Sequence, residues 1–365
     1  MRLDLYFAWR FLKTFLGLLL VFALIYLLLD MVDQFRKFES GSVGFMEVVH
    51  LTALNVPAGL YRILPLIVVF ATLALILSLA RSSELVVVRA AGRSGLRALI
   101  SPILVAIVLG ALTVAVFNPI VAATSKQYEI LSSGFKGGAK SILSISGEEL
   151  WLRQGGDDGQ TVIRAEHANL DGTRLFAVTF LRFGLDGLPT DRIEAKYAVL
   201  LPGAWIATDA KRWQFTGTKN PERTAQKFDQ LTIASDLTKN QIRDSFGTPA
   251  SIAFWDLPAF IERLEHAGFS ARQHRVWFHM QLALPVMFAA MVMIGAGFTM
   301  RPTRLGHTGI MVMSAILLGF AIFFIRNFAQ ILGENGQIPI LMAAWAPPIA
   351  AILMTLGLLL HLEDG

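Results

Sequence analysis

Few residues of this chain have types and spacings that could carry out a reaction. A phosphate-binding loop needs a second glycine just before its Lys-Ser pair, so that backbone N–H groups can approach the anion; Gly134–Ser141 reads GFKGGAKS and has Ala139 there, a chance likeness. The seven histidines form no HExxH pair, and His274 and His279, five apart, would not share a helix face. No serine sits in a nucleophile elbow, and no buried catalytic dyad is legible. The chain reads as a non-enzyme without a cofactor of its own.

What remains is charge in unusual places. The segment Asp30–Phe38, DMVDQFRKF, puts Asp33, Arg36 and Lys37 at the end of a long apolar run. Arg62 lies between Pro57 and Pro65 in a second such run, and Arg326 closes another. Arginine at membrane depth is costly and faces protein, a cavity or lipid headgroups. Two readings follow: each cation snorkels to the headgroups on its own, or Arg36, Lys37, Arg62 and Arg326 form a ring around an anionic lipid. A second candidate is RSSELVVVRAAG, Arg81–Gly92. Ser82 or Ser83 can cap a short helix, Glu84 suits its N-terminal dipole, and Gly92 can stop it. Leu85 and Val88, with Arg89 beside them, give the helix an apolar face, fit either to lie on lipid or to dock a soluble partner.

These residues need a membrane scaffold to position them. Of 365 residues 54% are hydrophobic and 16% charged, with no cysteine, which excludes a disordered chain or a disulfide-stapled one. Residues 120–275 hold 37 charges in 156 positions, against 22 in the other 209, so the middle is a water-facing domain set into a membrane protein. Three apolar spans precede it: Thr14–Leu29, a stretch ending at Ala80, and Ala98–Phe117. Three follow: Val276–Met300, Thr308–Ile325 and Ile338–Leu360. The expected segments are 1–119 for helices one to three with a short cytoplasmic helix near 82–92, then 120–275, then 276–365 for helices four to six.

Charge sets the orientation. The net +5 suggests nucleic acid until it is located: no dense basic run interleaved with aromatics exists, and nucleic acid is not an expected partner. With the N-terminus inside, residues 1–13, 81–97, 301–307 and 361–365 hold nine basic and four acidic residues, the whole +5. The positive-inside rule then puts both termini in the cytoplasm and the middle domain outside. Period-2 alternation over Arg192–Val199 and turn signals at Gly155–Gly159, Asp171–Gly172 and Asp186–Gly187 make that domain β, a sandwich or jellyroll with Trp151, Trp205 and Trp213 in its core. Asp256 opens an amphipathic helix over 256–267 that either lies on the membrane or packs on the β domain.

The order of three spans, β domain and three spans, with DMVDQFRKF and RSSELVVVRAAG, resembles the LptF/LptG (YjgP/YjgQ) permease family of the lipopolysaccharide exporter. The VDQ-x-RK segment is more similar to its LptG branch. The resemblance implies an inner-membrane subunit that extracts lipopolysaccharide from the outer leaflet, in a heterodimer with an LptF-like permease. An LptB-like ATPase dimer would bind the ATP and Mg, and an LptC-like jellyroll protein would stand nearby. It implies that Glu84 belongs to a helix docked in the ATPase and that Arg36 and Lys37 lie near the cavity entrance. Two positions depart from the family: Asp30 and Ala58 stand where its better-known members have lysine. Rival readings are another lipid or lipoprotein exporter, whose large domain would follow span one, a secondary transporter, to which Pro347-Pro348 could lend a broken helix, and an envelope-assembly scaffold.

Overall fold

In a hydrocarbon layer the backbone must satisfy itself, and a continuous apolar run does so as a helix. The computed structural model describes residues 2–37, 44–84, 87, 95–135, 143–146, 149–156, 159–169, 172–215, 220–235, 237–238, 242, 248–266, 270–299 and 308–363. The helices are α1 (Arg2–Lys37), α2 (Phe45–Arg81), α3 (Gly95–Leu112), α4 (Asn118–Phe135), α5 (Leu257–His266), α6 (Arg272–Leu282), α7 (Leu284–Thr299), α8 (Thr308–Glu334) and α9 (Ile340–Glu363). Among the described residues five helical runs are long and apolar enough to cross a membrane, one of them α3 with α4, and α6 with α7, bent by 50°, is a further candidate span. Two compact units result: Met1–Phe135 with Ala250–Trp255 and Arg272–Gly365, and Lys136–Pro249 with Asp256–Ala271.

In the helical unit α7 is the innermost element, buried on nearly every side by α2, α3, α8 and α9. Small residues let these helices close up. A Cβ on Gly110 of α3 would lie 2.5 Å from Pro285 Cα, and one on Gly295 of α7 would lie 2.8 Å from Thr72 Cβ. Pro285 has no N–H to bond the carbonyl of residue 281, which accounts for the bend between α6 and α7. Pro347-Pro348 does not break α9, which runs through both prolines. Ala315 and Gly319 pack α8 on α2, the latter with room for Val69.

The third span differs from expectation. Instead of ending near 119 it continues through a π-helical turn, Thr113–Phe117, into α4, a single run from Arg97 to Ser132. Residues 118–135 are amphipathic rather than loop-like, and Val121 and Ala122 are buried. The sequence boundary misses them because polar residues mark one face of the helix, not its end.

The other unit holds, among the described residues, one antiparallel sheet together with α5. Its strands are β1 (Leu143–Ser146), β2 (Glu149–Gly156), β3 (Gly159–Ala165), β4 (His167–Ala168), β5 (Arg174–Phe183), β6 (Pro189–Leu201), β7 (Ala204–Gln214) and β8 (Gln226–Ala234). Order follows the chain, β1-β2-β3-β5-β6-β7-β8, with β4 on β5. It is a meander, and among the described residues no pairing is the Greek-key crossover of a jellyroll. The sheet nonetheless rolls: Gln154 of β2 donates to Ala234 O of β8 at 3.0 Å, across four intervening strands, and Ser235 Oγ donates to Gln154 Oε1 at 2.7 Å.

The roll bends where the inward phase slips. Buried positions run Leu175 then Val178 in β5, Ala195 then Ala198 in β6, and Ala207 then Ala210 in β7. Ala177 and Asp209, both at positive φ, lie on that line. Tyr197 therefore points outward, over Arg174, although alternation puts it inside with Ile193.

Of the three tryptophans only Trp205 is core, edge-on to Phe180. Trp151 sits between buried Leu150 and Leu152 and so faces out, toward Arg164; Trp213 pairs with Arg192 on the outer face and donates to Glu222. Helix α5 packs Leu264, Phe260 and Ile261 on the sheet's core, which decides its placement. Gly110→Val should push α3 off the backbone of α7 and cost about 1–3 kcal/mol, seen as a lower unfolding midpoint in detergent than for Gly17→Val, whose Cβ meets nothing within 4 Å.

Candidate lipid-facing and coupling sites

Helix α1 lays one stripe on the bundle. Phe7, Phe11 and Phe15 are buried at i, i+4 and i+8; Phe22 continues the stripe, and Asp30 and Gln34 end it. Those last two are polar and fully enclosed. Asn55 Nδ2 donates to Asp30 Oδ1 at 2.7 Å, Gln34 Nε2 donates to Asp30 Oδ2 at 3.4 Å, and Gln34 and Tyr128 exchange hydrogen bonds at 3.0 and 3.1 Å. The network ties α1 to α2 and α4. Asp30, read from sequence as a missing lysine, is thus a structural anchor. Sequence spacing gave no signal for Asn55 or Tyr128, which lie 25 and 98 residues away from it.

The sequence-predicted cations fall into two groups. Lys37 Nζ meets Asp33 Oδ2 at 2.7 Å, one helical turn away, and the pair is exposed. Arg36 and Arg62 are exposed as well. Tyr26, whose ring lies on Gly59 of α2, is within electrostatic reach of Asp30, Arg62, Lys37 and Asp33, so these four charges share one neighbourhood.

Arg326 stands apart. It continues the inward stripe of α8 from Ala315, Gly319 and Phe323 and lies within electrostatic reach of Tyr61. Tyr61 donates to Gln281 Oε1 and accepts from Asn118 Nδ2 at 3.4 Å; Asn118 Oδ1 in turn accepts from Phe254 N at 2.8 Å. Gln281 Nε2 has no hydrogen-bond partner among the described residues. This second cluster joins α2, α4, the α6–α7 bend and α8. The π turn serves it too, since the Ala115 carbonyl accepts from Trp255 Nε1 at 3.0 Å.

At the opposite end of α1 the segment after Arg81 turns back. Ser82 caps α2, its N–H on Ser78 O at 3.1 Å. Ser83 takes φ +58, and Val87 N bonds Ser83 O at 3.3 Å, a helical turn that opens where the sequence puts a cap. Glu84 then reaches Arg10 of α1, whose Nη1 donates to Oε1 at 2.8 Å and Oε2 at 2.9 Å. Tyr6 OH adds a bond to Oε2 at 2.9 Å and Ser82 Oγ one to Oε1 at 2.7 Å. Leu85, Val88 and Arg89 lie outside the described residues, and Val87 is exposed.

The fold, a bundle of membrane-length helices carrying a β unit between its third and fourth spans, defines a class of integral membrane proteins with charge gathered at helix ends. The chain matches "Lipopolysaccharide export system permease LptF/LptG" over residues 5–361, and it belongs to that family. Among its relatives are proteins named lipopolysaccharide export system permease protein LptG. One, from Haemophilus influenzae, is 24% identical over 92% of each chain; another, from Escherichia coli K12, is 23% identical over 92% of this chain and 91% of its own.

Two outcomes test the clusters. Asp30→Ala leaves the amides of Asn55 and Gln34 short of an acceptor in a dry site, at about 1–3 kcal/mol, and should lower the unfolding midpoint well below that of Asp30→Asn. The hydrogen bonds from Arg10, and then from Ser82, hold the Glu84 carboxyl below its ordinary pKa of 4.5. A group more acidic in the folded state stabilises above its unfolded pKa and loses that effect as pH falls through the lowered value. The margin of wild type over Glu84→Gln in thermal unfolding should be present at pH 7 and shrink on acidification below 4.5.

Proposed function

We propose that this chain is a transmembrane permease subunit of an ABC-type exporter of lipopolysaccharide. It would draw the lipid from the outer leaflet of the inner membrane toward the periplasm, powered by ATP hydrolysis in a separate subunit. Six spans, with α6 and α7 forming one bent span, put both termini in the cytoplasm and the β unit, a jellyroll-like roll, in the periplasm. The partners are an LptF-like permease, an LptB-like ATPase dimer that holds the ATP and Mg, and an LptC-like jellyroll protein.

The observation that carries this reading is the pair of uncovered helices beside α2. Both α1 and α8 contact α2, yet along their length Leu16, Leu20, Leu24 and Leu28 of α1 and Met313, Leu317, Phe324 and Phe328 of α8 are exposed. Such faces suit acyl chains and a second permease, and the exposed Arg36 and Arg62 with the Asp33–Lys37 pair suit the phosphates of the headgroup. Arg326, on the inward stripe of α8 beside Tyr61, would meet the lipid only from that inner side. Residues 81–92, with Glu84, Leu85, Val88 and Arg89, provide the contact for the ATPase.

The bent α6–α7 span with its buried Tyr61, Asn118 and Gln281 is a feature that secondary transporters also use. A proton-coupled cycle needs a titratable carboxylate at the bend, and a sodium site there would sit beside a cation. The hydrogen-bonded groups are a phenol and two amides within electrostatic reach of Arg326, which favours the ATP-driven reading.

Purification of the complex from its native membrane should bring down an ATPase and lipopolysaccharide together; an ATPase-free preparation without lipid would overturn the assignment. Charge reversal at Arg62, or at Arg36 and Lys37 together, should weaken photocrosslinking to lipopolysaccharide several-fold, about 1 kcal/mol per exposed cation. Unaltered crosslinking would leave those side chains as ordinary headgroup contacts.

A further inference from the structure

A carboxylate has about four acceptor positions, and at Glu84 all are taken within the chain. Oε1 accepts from Arg10 and Ser82, and Oε2 accepts from Arg10 and Tyr6. Arg10 is fixed from its other side: Nη2 donates to Ser78 Oγ at 2.7 Å on the last turns of α2, and the guanidinium stands 5.6 Å from the Tyr6 ring centroid. The backbone is committed to this arrangement too. Ser83 occupies the left-handed region, φ +58, which costs a non-glycine residue about 1–2 kcal/mol and turns the chain after Ser82 so that Glu84 faces α1. A salt bridge on an open surface contributes little, but this one is half-enclosed and shares its carboxylate with two hydroxyls.

We propose that Arg10 is a positioning residue for the segment after Arg81, clamping Glu84 so that the cytoplasmic end of α1 and the start of that segment move as one piece. The clamp rests on the reading of this segment as the ATPase contact. It gives Glu84 a second task within the chain, holding α1 while the segment that carries it meets the ATPase. Movement imposed on the segment by the ATPase is then delivered directly to α1, the helix whose apolar face borders the lipid path. Arg10 touches neither ATP nor lipid; its effect lies in coupling the two.

The test uses the whole complex, co-expressed with its partner permease and ATPase and reconstituted in proteoliposomes loaded with lipopolysaccharide. In R10A the ATPase should still co-purify and hydrolyse ATP, while ATP-driven lipid release falls about tenfold. R10K should lie between, because one ammonium cannot hold Glu84 and the Ser78 hydroxyl from two separate nitrogens as Nη1 and Nη2 do. The charge swap Arg10→Glu with Glu84→Arg should regain most of the release lost in either single variant.

Release unchanged in R10A would overturn the clamp. So would a swap as inactive as Glu84→Arg alone, since Glu84 would then answer to a cation on the ATPase rather than to Arg10. Hydrogen exchange on the purified permease reads the clamp without the ATPase: the amides of residues 82–87 should exchange about tenfold faster in R10A and slow again in the swap, and exchange indifferent to both would refute it. Failure of the wild-type complex to contain an ATPase would instead defeat the proposed function, leaving the exchange result to decide the clamp.

Discussion

A polar side chain within the apolar layer must find its partner in the protein, because there is no water to supply one. Helix α1 has 36 residues and spans ~54 Å, far more than a ~30 Å hydrocarbon core. Its two polar clasps, the half-enclosed Arg10 on Glu84 and the buried Asp30 with Gln34 on Asn55 and Tyr128, lie twenty residues apart, or ~30 Å. That is one hydrophobic thickness. Between them α1 offers the bundle buried Phe11 and Phe15, with Leu18, Leu19 and Phe22 partly buried. The helix is held by polar contacts at its two ends and by apolar contacts of modest depth between, an arrangement that leaves its outer face free.

The helical core follows from a different economy. Lipid chains are as apolar as leucine, so helices in a membrane gain from close approach rather than from burial. Gly110 against Pro285, Gly295 against Thr72 and Gly333 against Ala343 remove the side chain where two helices meet. Helix α7 can then sit wholly inside the unit, with α8 packed directly on it and α1 reaching the bundle through α2 and α3. The prolines mark where carbonyls are released, and Pro285 coincides with the 50° bend between α6 and α7.

Much of this was legible in the sequence. Apolar runs located the membrane-length helices, and glycine turns placed strand boundaries at Gly159, Gly172 and Gly187, all at positive φ. The period-2 pattern around Ile193 gave a true strand. The failures have physical causes. Tyr197 faces out because three neighbouring strands slip phase on one line, a property of the sheet that no single strand carries. Trp151 and Trp213 are large and apolar in composition, but their register puts them outside, where cations cover their faces. At the site, Glu84 was found by its motif, whereas Arg10 and Tyr6 lie more than seventy residues upstream. Asn55 and Tyr128 were missed for the same reason: amide and phenol groups acquire a role only when folding encloses them.

The π turn at Thr113–Phe117 has a geometric meaning of its own. Such a turn is an α-helix that carries one extra residue, and each residue advances the helix by about 100°. With a single residue removed there, everything from Asn118 onward would rotate by that angle about its axis. Asn118 would leave Tyr61 and Phe254, and Tyr128 would leave Gln34, so both enclosed networks of the helical unit would open at once. The angular setting of α4 thus depends on a one-residue surplus in the chain, a dependence on length rather than on the identity of any side chain.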